Sequence, residues 1–227
     1  MEGPGTGVGD RRRARLRRAR LYVVCGARGE RGDLREFLDA ILRAGVDVVQ
    51  LREKDAEAGD LLRWAPTFRE AADRHGALFF VNDRPDVALA VGADGVHVGQ
   101  NDLAPAFVRG LVGPDVLIGL STHAPGEFAG AALEADHLCA GPVWETPTKA
   151  GRPAAGIELV RFAAERERRG DERRPWFAIG GIDSGRLPAV TEAGARRIVV
   201  VRAVTEAADP GAAVRALLAG LPALEPP

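Results

Sequence analysis

Eight short apolar runs recur along the chain, each followed by a longer amphipathic or polar stretch. They are LYVVC (21–25), VDVVQL (46–51), ALFFVN (77–82), DGVHV (94–98), VLIGLS (116–121), DHLCA (136–140), WFAIG (176–180) and RIVVV (197–201). Most are apolar at consecutive positions, the pattern of parallel strands covered on both faces. The stretches between them space their apolar residues by three and four, as helices with one buried face do. DLREFLDAILRAG ends at Gly45 and AEAGDLLRWAPTFREAADRHG at Gly76, where glycine readily closes a helix, and Pro66 predicts a kink or break in the second. Six shorter helices follow: RPDVALAVG, APAFVRGLVG, APGEFAGAALEA, GIELVRFAAERERRG, SGRLPAVTEAG and DPGAAVRALLAG. Several open on Asp, Ser or Pro and close on Gly.

Strands alternating with helices in this number predict an α/β chain folded as a (β/α)8 TIM barrel, one catalytic domain over residues 20–222. A doubly wound open sheet is the alternative, because the pattern does not show closure. Residues 1–19 stand apart, a Gly-rich start running into RRRARLRRA, and predict a disordered basic extension.

Composition narrows the function classes. At 227 residues, 46% hydrophobic and 28% charged, the chain reads as an ordinary globular protein. A formal charge of −1 supplies no field for a general nucleic-acid binder, and no apolar run approaches a membrane span. Cys25 and Cys139 end apolar runs and read as buried, reduced thiols of a cytoplasmic protein, with neither disulfide nor metal expected. A homo-oligomer is compatible with the sequence.

In a barrel, the loops after the strands' C-terminal ends build the active site. There the polar residues gather: Gln50, Arg52, Glu53 and Lys54 after the second run, Asn82, Asp83 and Arg84 after the third, Gln100 and Asp102 after the fourth. Ser121, Thr122 and His123 follow the fifth, ETPTK (145–149) the sixth, Gly180 and Gly181 the seventh, Val201 and Arg202 the eighth. Lys54 and Lys149 are the only lysines of a chain that otherwise uses arginine, and both fall in these loops. As compact cations they suit phosphate oxygens or a leaving group, though either is also an ordinary surface lysine. Asp83 and Asp102 are hard oxygen ligands of the kind Mg²⁺ takes together with water and substrate phosphate. Alternatively, Asp83 turns the chain and Asp102 caps a helix. Backbone amides at Gly180 and Gly181 offer a second anion site. His97 reads as a core or supporting histidine and His123 as a candidate general base. No acid–base pair dominates, which favours departure of a diphosphate over proton abstraction.

The segments VQLREK (49–54), VNDRPDVALAVGADGVHVGQNDL (81–103), IGLSTH (118–123), GPVWETPTK (141–149), AIGGI (178–182) and VVVRAV (199–204) resemble the thiamine phosphate synthase family, in order over residues 20 to 220. The resemblance implies a TIM barrel that joins hydroxymethylpyrimidine diphosphate to a thiazole phosphate, releasing diphosphate. It further implies that Gln50, Leu51, Arg52, Glu53, Lys54 and Asn82 hold the pyrimidine diphosphate, and that Asp83 and Asp102 bind Mg²⁺. Ser121 and Lys149 would contact the diphosphate, Thr146, Pro147 and Thr148 the thiazole phosphate, and Gly181, Val201 and Arg202 its phosphate group. Catalysis would rest on Lys149, Ser121, Lys54 and Arg52, with small-molecule partners and no nucleic acid or membrane. Two positions depart from the family: Arg202 stands where serine is usual, and Glu145 where an apolar or small residue is common. A thiazole tautomerase of the same superfamily, with His123 as base, and a non-catalytic thiamine-phosphate-binding barrel are the competing readings.

Overall fold

Each apolar run becomes one strand of a closed, all-parallel barrel in the computed structural model, which describes residues 7–146 and 153–224. The strands are β1 (Leu21–Cys25), β2 (Val48–Leu51), β3 (Leu78–Asn82), β4 (Gly95–Val98), β5 (Leu117–Thr122), β6 (His137–Ala140), β7 (Trp176–Ile179) and β8 (Ile198–Val200). They pair in sequence order, and β1 closes on β8 through Tyr22 opposite Val199. Closure excludes the open sheet. Crossover helices follow the strands: α2 (Leu34–Arg43), α3 (Ala58–His75), α4 (Pro85–Ala90), α5 (Pro105–Val112), α6 (Pro125–Ala129), α7 (Gly156–Arg169), α8 (Leu187–Glu192) and α10 (Pro210–Gly220), with a single turn, α9 (Arg202–Thr205), before the last. Pro66 does not split α3, which runs through it as one helix of 18 residues.

Strand alternation divides the core in two. Leu21, Val23, Val49, Leu51, Phe79, Val81, Ile118 and Trp176 point outward and pack with the helices. Tyr22, Val24, Val48, Leu78, Phe80, Leu117, Cys139, Phe177 and Val199 point inward and fill the barrel. Registered neighbours there alternate in size. Gly95 lies opposite Phe80, and a Cβ on it would stand 2.3 Å from that ring. Gly119 lies between His97 and His137, where a Cβ would stand 2.3 Å from one ring and 2.4 Å from the other.

The other end of the barrel corrects the expectation for residues 1–19. Val8–Arg18 form a helix, α1, that lies across the barrel's N-terminal opening, with Leu16 and Ala19 buried in the interior cluster. Two of its arginines are partly buried in ion pairs. Arg12 Nε donates to Asp94 Oδ1 at 2.8 Å and Arg13 Nε to Asp136 Oδ1 at 2.7 Å. The second oxygen of Asp94 accepts from Arg69 at 2.7 Å and from the Phe79 amide at 2.9 Å. That of Asp136 accepts from Arg109 at 2.7 Å and from the Ile118 amide at 2.8 Å. Each aspartate thus ties a strand start to two arginines, and α1 supplies one of each pair. Such charge-assisted bonds out of bulk water hold better than exposed ion pairs do.

Candidate active site

The strands' C-terminal ends open into a cavity of about 320 Å³, lined by residues from all eight strands or the loops after them. Inward parity selects them: on β2, Gln50 faces the cavity and Leu51 the helices. Leu51 was expected at the substrate, and the structure places its side chain in the outer core. Gln50, Arg52, Asn82, Ser121, Thr146, Gly181, Val201 and Arg202, all expected from the sequence, line this one cavity. Pro147, Thr148 and Lys149 lie outside the described residues.

Glu53 also departs from expectation. Its Oε1 accepts the Ala27 amide at 2.7 Å, which ties the β2 loop to the β1 loop instead of facing the cavity. Gly26 makes room for that carboxylate, since a Cβ there would stand 2.3 Å from Oε1.

Lys54, Asp83 and Asp102, also expected at the site, are not part of this lining but lie together in the loops after β2, β3 and β4. Asp83 follows β3 with φ of 59°, a left-handed conformation that Asp tolerates better than most residues, and its amide donates to the His97 carbonyl at 2.8 Å. Burial first, and the neighbouring Asp102 second, push the Asp83 carboxyl above its ordinary range. Lys54 Nζ stands 3.8 Å from Asp83 Oδ2, too long for a tight bond, and offsets only part of that effect. Asp102 Oδ2 accepts the Gly99 amide at 2.8 Å, a local cap that leaves its other oxygen for a second partner. Two carboxylates held together, whose mutual repulsion a cation would relieve, are a donor set suited to a hard divalent cation.

A floor of aromatic and polar groups closes the cavity below. Tyr22, which carries no selecting signal in the sequence, accepts Gln50 Nε2 at 2.5 Å and so aims the Gln50 carbonyl oxygen elsewhere in the cavity. His97 Nε2 and Ser121 Oγ are 2.9 Å apart, and Gln100 Nε2 donates to the Ser121 carbonyl at 2.7 Å. Cys139 lies beside them. His137 is fully buried behind this floor, and burial pushes its pKa down to about 4, so the ring is neutral.

The opposite wall is built on Gly180 and Gly181, both at positive φ. A Cβ on Gly180 would stand 2.5 Å from Pro142, so the β7 loop and the β6 loop pack backbone to backbone. Arg186 donates to the Gly181 carbonyl at 2.9 Å with its guanidinium 5.1 Å from the centre of the Trp144 ring. Arg186 and Arg202 together give this wall two cations, and Asp183 and Glu206 flank them. Arg186 was missed by sequence reasoning because it lies five residues beyond Gly181, on the approach to α8.

His123 does not line the cavity; its Nδ1 and backbone amide both engage Glu127 Oε2, at 3.0 and 2.8 Å. The structure therefore gives no support to His123 as a general base in this cavity. What the arrangement can do is hold anionic ligands: Arg52, Arg186 and Arg202 line the cavity, and Lys54 stands beside Asp83 outside that lining.

A family model described as thiamine monophosphate synthase matches residues 21–204. The thiamine-phosphate synthase of Acidothermus cellulolyticus is 53% identical over 213 residues, covering 93% of this chain and 99% of that protein. That of Mycobacterium tuberculosis is 52% identical over 220 residues, covering 92% and 98%. Among solved structures, the thiamine phosphate pyrophosphorylase from Pyrococcus furiosus superposes with a TM-score of 0.78 at 33% identity, covering 91% of this chain and 96% of that one. A 3-hexulose-6-phosphate synthase, with a TM-score of 0.62 at 20% identity over 89% of this chain and 100% of its own, shares the fold alone.

Proposed function

The chain belongs to the thiamine monophosphate synthase family, and from that membership we propose that it joins hydroxymethylpyrimidine diphosphate to a thiazole phosphate, giving thiamine phosphate and diphosphate. The observation that carries this reading is one cavity lined by Arg52, Arg186 and Arg202 together with Gln50, Asn82, Ser121 and Thr146. Two phosphorylated substrates meeting in one chamber need that layout.

The reaction breaks the C–O bond between the pyrimidine methylene and the diphosphate, and both electrons leave with the diphosphate. The thiazole nitrogen then donates its lone pair to the methylene carbon, forming the C–N bond. No proton has to be removed, which fits a cavity in which His123 does not reach the reactants. Asp83 and Asp102 would hold Mg²⁺, which neutralises charge on the leaving diphosphate when bound. Arg52 and Lys54 would add positive charge beside the diphosphate, and the same role is assigned to Lys149 of the TPTK segment. Gln50, its amide set by Tyr22, and Asn82 orient the pyrimidine. Ser121, set by its contact with His97, meets the diphosphate. Thr146 lies where the two substrates join, and Gly181, Val201 and Arg202 receive the thiazole phosphate. The rate gain comes from positioning and from charges already in place as charge develops.

Asp83→Ala and Arg52→Ala test the assignment. Each lowers kcat by about a hundredfold or more, the size expected when a group that stabilises developing charge is removed. The KM for the thiazole phosphate stays close to that of the unaltered protein. Full turnover in excess chelator removes the metal from the reading, and proton exchange on the thiazole with no condensation overturns it in favour of an isomerase.

A further inference from the structure

The floor of the cavity carries a second, chemically different donor set. His97 Nδ1 or Nε2, His137 Nδ1 or Nε2 and Cys139 Sγ offer three ligand atoms within 4.8 Å of one another, all buried. They come from β4 and β6, which flank β5 in the barrel, and the inward residue of β5 between the two imidazoles is Gly119. The missing side chain lets the two rings close over the strand, with His97 Nδ1 and His137 Nε2 2.3 and 2.5 Å from the point a Cβ would occupy. Neither ring nitrogen of His137 has a hydrogen-bond partner, although its side chain is fully buried. Native proteins pair buried polar atoms almost without exception, so a buried imidazole with both nitrogens unpartnered marks a place where something else binds. His97, by contrast, has its Nε2 against Ser121 Oγ at 2.9 Å, a bond that fixes the ring and turns Nδ1 toward Gly119 and His137.

From this geometry we propose a soft-metal site formed by His97, His137 and Cys139 at the floor of the cavity. Two imidazoles and a thiolate select Zn²⁺ and its neighbours over Mg²⁺, which takes oxygen. The site is separate from Asp83 and Asp102 and does not depend on the substrate assignment. Binding breaks the Cys139 S–H bond, releases its proton to solvent and forms a metal–sulfur bond, with no change of oxidation state. Metal–ligand distances of about 2.0–2.3 Å ask only for a small closing of the three side chains. His97 and Cys139 line the cavity while His137 lies behind them, so the fourth position faces the cavity. An ion there takes a water or an incoming ligand as its fourth partner and occupies the floor on which a bound ring would rest. This chain would then be inhibited by Zn²⁺ in the presence of ample Mg²⁺.

Metal-depleted full-length protein titrated with Co²⁺ tests this by absorption. The expected result is one equivalent bound, with a thiolate-to-cobalt charge-transfer band and the intense visible bands of a tetrahedral ion, both unchanged by excess Mg²⁺. Cys139→Ser removes the charge-transfer band. His137→Phe, whose ring suits the cluster of Tyr22, Phe80 and Phe177 around that position, weakens binding by about a hundredfold. Circular dichroism of each variant confirms folding, and Cys25→Ser, altering the other buried thiol, keeps the full spectrum. Folded protein that binds Co²⁺ without the charge-transfer band overturns the proposal. So does a band that survives in Cys139→Ser.

Discussion

Asp83 shows at one residue how a site stores its readiness for a cation. Its carboxyl is pushed up by burial and by Asp102, so the folded protein favours the protonated form more than the unfolded chain does. The ionised form therefore costs stability at neutral pH, and that cost is relieved as pH falls through the folded-state value. Asp83→Asn, which cannot ionise, raises the melting temperature of the metal-free protein at neutral pH while it abolishes turnover. Saturating Mg²⁺ raises the melting temperature of the unaltered protein, by mass action, and leaves that of Asp83→Asn unchanged. Calorimetry with and without metal checks both. His137 works in the opposite direction. Its folded pKa is lowered from 6.5 to about 4 by burial, so its contribution is fully present above 6.5 and is lost as pH falls to about 4. Across that window the unaltered protein loses up to about 3 kcal/mol through this one group, a loss that His137→Phe does not show in denaturant titrations at matched pH.

At the scale of elements, the strands were legible and the caps on the barrel were not. Continuous apolar runs such as LYVVC and WFAI state that both faces are covered, and each begins where the structure begins it. The basic run at the start gave the opposite impression, because its partners, Asp94 and Asp136, lie more than eighty residues away. Only Leu16, one apolar residue among arginines, marked α1 as having a buried side. Leu16→Ala is expected to destabilise the protein by about 3 kcal/mol, the usual size for a buried leucine, whereas a frayed terminus would show no change. Pro66 does not break α3 for a related reason. A helix tolerates an interior proline when its neighbours hold it, and α3 is packed along its length by Leu61, Ala65, Phe68, Ala71 and Ala72. Gly119 belongs to β5, where Ala would press into His97 and His137; Gly119→Ala costs about 1–3 kcal/mol by overpacking and abolishes Co²⁺ binding at the floor.

Over the whole molecule, the barrel separates its two ends by charge chemistry. One end is closed by α1 and aspartate–arginine ties, and the other is open and built to receive anions. The polar residues of the open end could be read in sequence because strand-end position alone assigns them, as with Gln50, Asn82 and Ser121. Residues placed by tertiary contact, such as Tyr22 under Gln50 or Arg186 on Trp144, carry no local signal. Leu51 and Glu53 show the converse, since they share a motif with Gln50 and Arg52 but point to the outer core and to the β1 loop. The central claim is that one cavity joins two phosphorylated rings with loss of diphosphate. The direct measurement mixes purified protein with hydroxymethylpyrimidine diphosphate, thiazole phosphate and Mg²⁺, and quantifies thiamine phosphate and free diphosphate in the same sample. Equal amounts of the two, absent in chelator, are the predicted result. Diphosphate released without thiamine phosphate, or neither product from folded protein with both substrates bound, would contradict it.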